Sequence, residues 1–286
     1  VGGLLERGSS TVHRLKVTAT ALAVGALVSV PAIAEGAANS SSQPSTTARP
    51  SAATAPRPAS AGPAGIPGSW TTKFADEFNG TTLSRSWTPG WFGTGVTKPI
   101  NGKEQACYDS RQVTLPGDGA LHLKATARPS TCGGQTKPNT GALVSSNGRF
   151  SYTYGAVEWR AYLPSGGTQI ANWPALWSNG QNWPTDGEND TMEGLGGKAC
   201  FHFHSPSGGP GGCVPGNLSG WHTFAADWEP GSVTYYYDGV KVGRIATGIT
   251  SSPQYLVMDH TVSSSIGGPT VLPKDMKVDY VRVWQH

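Results

Sequence analysis

The residues of this chain best suited to chemistry are crowded into one stretch, Gly187-Glu188-Asn189-Asp190-Thr191-Met192-Glu193-Gly194. Glu188, Asp190 and Glu193 stand at i, i+2 and i+5, with Asp186 just outside. Like charges this close repel unless something holds them. In a strand, side chains alternate faces, so Glu188 and Asp190 point one way and Glu193 the other. An extra residue between Asp190 and Glu193 would reverse that, and a β-bulge supplies one; bulges are frequent beside active sites because they re-aim a side chain. The spacing therefore predicts three acids on one face of a bulged strand. Paired carboxyl groups flanking a sugar bond are the working parts of glycosidic hydrolysis. The competing reading of the same residues is a salt-bridged or calcium-binding acidic turn.

Such a strand needs neighbours, and the chain supplies strand signals throughout. In Ala120-Leu121-His122-Leu123-Lys124-Ala125 the leucines alternate with polar residues, and Val157, Trp159, Ala161 and Leu163 alternate with Glu158, Arg160 and Tyr162. Val233-Thr234-Tyr235-Tyr236-Tyr237 and Val240-Lys241-Val242 flank Asp238-Gly239, a strong two-residue hairpin turn. Helical periodicity is absent beyond residue 34. Many short strands punctuated by Gly and Pro indicate an all-β antiparallel sandwich.

Several residues near the acids suit a sugar. Aromatic faces stack on the C–H faces of pyranose rings, and Trp173, Ala175 and Trp177 share a face if their run is a strand. Most Trp residues are simply core, which is the plain reading for each. Trp183, on a Gly/Asn/Pro-rich loop, suits a cap over a cleft or ordinary loop packing. His202 and His204 share a face of the next strand, where they are either structural or bonded to sugar or to an acid. Glu158 and Arg160 lie on the polar face of their strand, where the plain reading is a solvated ion pair.

The N-terminus has a different character. Arg7, His13, Arg14 and Lys16 precede an apolar run over residues 17–33, and Ala32-Ile33-Ala34 supplies an A-x-A cleavage pattern. Residues 1–34 read as a secretory signal peptide rather than a membrane anchor. Residues 35–67, rich in Ser, Thr, Ala, Pro and Gly, cannot bury enough apolar surface to offset their ordering entropy and read as a disordered linker. The remainder, 68–286, suits one all-β domain. Five of the 21 basic residues and two of the 18 acidic ones precede residue 68, so that domain is balanced at 16 of each. Nucleic acid, whose binders carry a basic footprint, is not expected as a partner, and a neutral polysaccharide is. Export leaves no membrane contact in the mature form, and a monomer is expected. All four cysteines, Cys107, Cys132, Cys200 and Cys213, fall in this exported domain, and an even count in an oxidising compartment favours disulfides. Of three connectivities the sequence-local one is preferred, Cys107–Cys132 and Cys200–Cys213. Cys200 lies near His202 and His204, but no zinc-type spacing accompanies it.

The acidic stretch resembles the E-x-D-x-x-E signature of glycoside hydrolase family 16 in its bulged, laminarinase-like form. Other segments stand in that family's order: Phe74-Ala75-Asp76-Glu77-Phe78-Asn79-Gly80, Tyr154-Gly155-Ala156-Val157-Glu158-Trp159-Arg160, Trp173-Pro174-Ala175-Leu176-Trp177 and Val278-Asp279-Tyr280-Val281-Arg282-Val283-Trp284. The resemblance covers essentially all of residues 70–286. It departs at Asn189 and Thr191, which occupy usually aliphatic positions; facing the sandwich interior, they need hydrogen-bond partners there.

The resemblance implies a β-jelly roll with a concave substrate cleft, and a retaining endo-β-glucanase acting on β-1,3 or mixed β-1,3/1,4 glucan. It implies Glu188 as nucleophile, Glu193 as acid/base and Asp190 between them, bonded to the nucleophile. One of the three acids is expected to keep its proton near neutrality, as a general acid requires. The resemblance also implies that Trp173 and Trp177 flank the cleft, that Glu158 and Arg160 line its concave face, and that Glu104 and Tyr108 belong to another cleft-lining segment. No organic cofactor is required; Asp279 resembles a residue that helps hold a structural calcium on the convex side. A hydrolase or transglycosylase on galactan, agar or carrageenan, and a non-catalytic sugar-binding relative, are the alternatives. The second would be expected to lack one or both glutamates, and both are present.

Overall fold

The computed structural model describes residues 62–286. The expected signal peptide and most of the expected linker lie outside the described residues. The strands, in chain order, are β1 (Thr71–Asp76), β2 (Thr88–Pro89), β3 (Val96–Thr97), β4 (Ala106–Asp109), β5 (Val113–Thr114), β6 (Leu121–Ala125), β7 (Ser130–Cys132), β8 (Gln135–Lys137), β9 (Asn139–Ser145), β10 (Gly155–Leu163), β11 (Trp173–Asn179), β12 (Glu188–Leu195), β13 (Lys198–His204), β14 (Gly211–Cys213), β15 (Gly220–Glu229), β16 (Ser232–Tyr237), β17 (Val240–Ile245), β18 (Tyr255–Thr261) and β19 (Lys274–Gln285). Among the described residues the helical content is one 3₁₀ turn, Ser110–Gln112.

Two sheets pack face to face as a jelly-roll sandwich. The first runs β17-β16-β15-β10-β19-β6-β5, with β1 also on β19. The second runs β14-β13-β12-β11-β18-β9-β4-β3, with β2 on β9. Pairing is antiparallel except for β4 on β9, which is parallel. Period-two alternation sends Val157, Trp159, Ala161 and Leu163 of β10 into the core, where they meet Leu176, Met192, Phe203 and Met258 of the second sheet. Burying each such side chain contributes about 1.5–3 kcal/mol.

The second sheet's other face carries a smaller apolar cluster of Tyr108, Leu143, Ala175, Trp177, Tyr255 and Val257, with Trp91 and Ile100 packed against it. Disulfides join Cys107 to Cys132, tying β4 to β7, and Cys200 to Cys213, which face each other across β13 and β14.

The domain begins earlier than the composition suggested. Ile66 is buried against Ala156 and Ala225 on the outer face of the first sheet, and the Ala64 amide donates to Glu158 Oε2 at 2.7 Å. Residues 62–67 are thus part of the packed structure, because one apolar side chain and one buried acid anchor an otherwise small-residue segment.

Candidate active site

β12 sits between β11 and β13 and carries the acidic stretch. Asp190 pairs with His202 and Glu193 with Cys200, so two residues of β12 lie opposite one residue of β13. On the other side Leu176 faces Met192 and Trp177 faces Asp190, again passing over Thr191. That is the bulge, and it brings Glu188, Asp190 and Glu193 to one open cleft with Trp173, Ala175 and Trp177. Ile100, Asn101, Glu104, Tyr108, Asp259 and Thr261 complete its lining.

The back of β12 satisfies part of what the residues at 189 and 191 require. Tyr235 Oη donates to Asn189 Oδ1 at 2.9 Å and also lies 2.9 Å from the His202 carbonyl. Tyr237 Oη lies 2.9 Å from the Thr191 carbonyl and 3.1 Å from that of Cys200. Both tyrosines are on β16 of the opposite sheet, so hydroxyls cross the core to the strand that bears the acids. Asn189 is thereby partnered through its carbonyl oxygen, while its amide nitrogen and the Thr191 hydroxyl are buried without a hydrogen-bond partner, Thr191 being met only at its backbone.

Each acid has its own surroundings. Glu193 Oε1 accepts from Trp173 Nε1 at 3.3 Å, and its Oε2 lies 3.0 Å from His202 Nδ1. Asp190 is 3 % exposed, and its Oδ2 accepts no hydrogen bond; His204 Nε2 lies 3.3 Å from it. His204 Nε2 is also 3.8 Å from Glu188 Oε1. Asp259, from β18, accepts from Trp177 Nε1 at 2.7 Å and from the Tyr108 hydroxyl at 3.2 Å. Glu104 Oε1 accepts from the amides of Ile100 and Asn101, each at 2.9 Å.

Crowding and burial decide where protons sit. Burial, then Glu193 and Asp259, holds the Asp190 carboxyl well above its ordinary range. Burial and Asp190 raise Glu188, while His204 and the Trp183 indole pull it back. Burial pushes Asp259 well up and Glu104 up to about 6. The Asp190 charge is one of the causes that raise Glu188, so a proton on Asp190 would ease the ionisation of Glu188. Asp190 is the more enclosed of the two and has an acid on either side, which favours its protonated form.

The structure brings together most of the residues picked out from sequence. Glu104, Trp173, Trp177, His202 and His204 all lie in or against the cleft. Trp183, 60 % exposed, turns its indole to Glu188. Glu158 and Arg160 do not belong there. They are on β10 of the first sheet, with their side chains on its outer face. Glu158 is buried under Ala64 and accepts from Tyr280 Oη at 2.8 Å. Arg160 Nη1 bonds Asp279 Oδ2 at 2.7 Å, and its guanidinium sits 4.7 Å from the Trp221 ring centre.

That pairing also involves the residue expected to help hold a calcium. Asp279 already faces a guanidinium, and among the described residues no second acidic side chain is grouped with it. Asp259 was missed; a single acid in the apolar run Tyr255-Leu256-Val257-Met258-Asp259 was its only signal.

A family model described as "XgeA-like, catalytic GH16 domain" matches residues 128–205, which include the whole acidic stretch. A β-glucanase of Rhodothermus marinus is 27% identical over 256 residues, covering 76% of this chain and 85% of the relative. Glucan endo-1,3-β-glucosidase A1 of Niallia circulans is 29% identical over 262 residues, 73% of this chain but only 37% of that longer protein. The solved catalytic domain of an endo-1,3-β-glucanase (laminarinase) from Thermotoga petrophila superposes with a TM-score of 0.65 at 25% identity, covering 76% of this chain and 98% of that one. A jelly-roll sandwich with this acid-lined cleft and these likenesses is a glycoside hydrolase, and its substrate is a polysaccharide. More narrowly, its likenesses are to laminarinase-like proteins of glycoside hydrolase family 16.

Proposed function

We propose that this chain is a secreted, monomeric, endo-acting β-glucanase that cleaves β-1,3 or mixed β-1,3/1,4 glucan with retention of configuration. The observation that carries the reading is the bulge between Asp190 and Glu193, which turns Glu193 to the same side as Glu188. The names of the relatives support the glucan. The basic and apolar residues before Ala34, which lie outside the described residues, support export.

In this reading Glu188 attacks the anomeric carbon and Glu193 protonates the leaving oxygen, then activates water. Asp190, carrying the shared proton, donates to the nucleophile and keeps its charge from spreading to Glu193. Trp173 and His202 hold the two oxygens of Glu193 in place, so its proton is aimed rather than free to rotate. Trp177 and Trp183 supply flat surfaces at the cleft.

The test is the configuration of azide products. General acid assistance is worth about 10²–10⁴-fold, so Glu193→Ala should nearly abolish polysaccharide hydrolysis yet still react with an activated aryl β-glycoside. Azide should then give a β-glycosyl azide, because the anion attacks the glycosyl-enzyme in place of water. Glu188→Ala with azide should give the α-azide by single inversion. The opposite pair of products would reverse the two roles, and full activity in both variants would remove them. Product analysis on laminarin, lichenan, agarose and galactan decides the polymer.

A further inference from the structure

His204 has no task in the hydrolytic scheme, and His202 serves there only to steady Glu193. His202 and His204 alternate on β13 with Phe203 in the core between them, so both rings face the cleft. Their ring centres are 5.8 Å apart and their planes 29° from parallel. A nitrogen of each and a carboxylate oxygen of Asp190 and of Glu193 all lie within 4.8 Å of one another. Two edges of that figure are already short: 3.0 Å for His202 Nδ1 to Glu193 Oε2, and 3.3 Å for His204 Nε2 to Asp190 Oδ2. Zinc bonds of about 2.0–2.2 Å to N and O in a tetrahedron require ligand atoms about 3.3 Å apart. Two edges fit as they stand, and the others lie within 4.8 Å.

The site is also built. The stretch Ser207-Gly208-Gly209-Pro210-Gly211-Gly212 passes directly against the imidazoles. A Cβ on Gly211 would run into the His202 ring, and one on Gly209 into the His204 ring. Neither glycine has a positive φ, so their lack of a side chain serves this contact and not a backbone conformation. The Cys200–Cys213 bridge fastens β14, and with it this stretch, to the histidine strand. Asp190 Oδ2, in a carboxylate 97 % enclosed, is aimed into the group with no hydrogen bond of its own.

We propose that Asp190, Glu193, His202 and His204 form a binding site for a borderline divalent cation, Zn²⁺ or Cu²⁺ by ligand chemistry, and that the ion reversibly shuts the enzyme off. Two imidazole nitrogens select against Ca²⁺ and Mg²⁺, which take oxygen shells. A metal held by Glu193 and Asp190 removes the acid/base from the reaction. The inhibition rests on the function proposed for those acids; the binding does not.

The full chain, stripped with EDTA, is titrated calorimetrically with ZnCl₂, CaCl₂ and MgCl₂, and loaded with CoCl₂ for visible spectroscopy. One equivalent of Zn²⁺ is expected, with Ca²⁺ and Mg²⁺ silent and an intense four-coordinate Co²⁺ band. His202→Gln and His204→Gln should each weaken Zn²⁺ by at least about tenfold, the loss that even outer-shell changes bring. A second grouping of Asp227, Glu229 and His286 lies on the other sheet, and His286→Ala should leave Zn²⁺ binding unchanged. Zinc should stop laminarin hydrolysis and EDTA should restore it. Binding that survives both histidine variants, or disappears with His286→Ala, overturns the site. If a histidine variant fails to fold, a weak six-coordinate cobalt spectrum in the wild type overturns it instead. Zinc bound through the histidines with hydrolysis undiminished would support the metal site and overturn the roles proposed for Glu193 and Asp190.

Discussion

The Tyr237 hydroxyl on one sheet is 2.9 Å from the Thr191 carbonyl on the other, at the bulged residue that separates Asp190 from Glu193. Thr191 has no register partner on either neighbouring strand, so the tyrosine meets a carbonyl the sheet leaves aside. Tyr237→Phe keeps the ring in the core and removes that donor. A buried carbonyl without a partner costs about 1–3 kcal/mol, and a bulge that relaxes misaims Glu193. The expected result is a folded variant of lower Tm whose kcat falls about tenfold or more, given the sensitivity of catalysis to small displacements. KM should move much less. An unchanged kcat in the folded protein would make Tyr237 a packing residue only.

Trp177 needs a gentler probe than alanine. It is 5 % exposed, so Trp177→Ala opens the core for about 3–5 kcal/mol and confounds any binding effect. Trp177→Phe keeps an aromatic face and removes the 2.7 Å bond to Asp259. Stability should fall by about 1 kcal/mol, as for one neutral buried hydrogen bond, and KM for polysaccharide should rise. An unaltered KM would take Trp177 out of substrate contact.

Arg160 should be dispensable for turnover. It pairs with Asp279 on the outer face of the first sheet, where both side chains are about a third exposed, at 34% and 37%. Arg160→Ala should cost no more than about 1 kcal/mol and leave kcat/KM within experimental error. A large rise in KM would return Arg160 to the cleft.

His260 gives the fold a pH limit. Its Nδ1 donates to the Leu123 carbonyl at 2.9 Å, joining β18 to β6 across the sandwich, and its Nε2 faces Asn172 Nδ2 at 3.1 Å. Burial pushes its pKa down to about 4 from an ordinary 6.5. The unfolded chain therefore binds a proton that the folded chain refuses between those two values. Stability from this group is whole above about pH 6.5 and is lost as pH falls towards 4, roughly 3 kcal/mol in all. Denaturation at pH 7, 6, 5 and 4 should show this slope in the wild type and a shallower one in His260→Gln. Parallel slopes would exclude His260 as the cause.

Spacing alone carried the acids and their bulge, because a period of two leaves only one way to align residues 188, 190 and 193. It also placed Trp173 with Trp177 and His202 with His204. What it could not carry is the sheet a strand joins. Glu158 and Arg160 alternate correctly with the core residues of β10, yet β10 lies in the sheet away from the cleft, and alternation is identical on either sheet. Asp259 was hidden for a related reason: its cleft neighbours Trp177 and Tyr108 are far away in sequence and meet it only through strand order. The partners of Asn189 and Thr191 come from the opposite layer, and no local pattern announces them. The packing of residues 62–67 turns on Ile66, one apolar residue among small ones.

The sheets end in little that another chain could copy. On the cleft sheet the terminal strands are β3, of two residues, and β14, of three. On the other, β5 has two residues, and β17 carries the exposed cations Lys241 and Arg244. Short or charged borders deny a template for edge-to-edge pairing. Molecules gathered at high local density along one polymer can therefore crowd shoulder to shoulder without seeding fibrils.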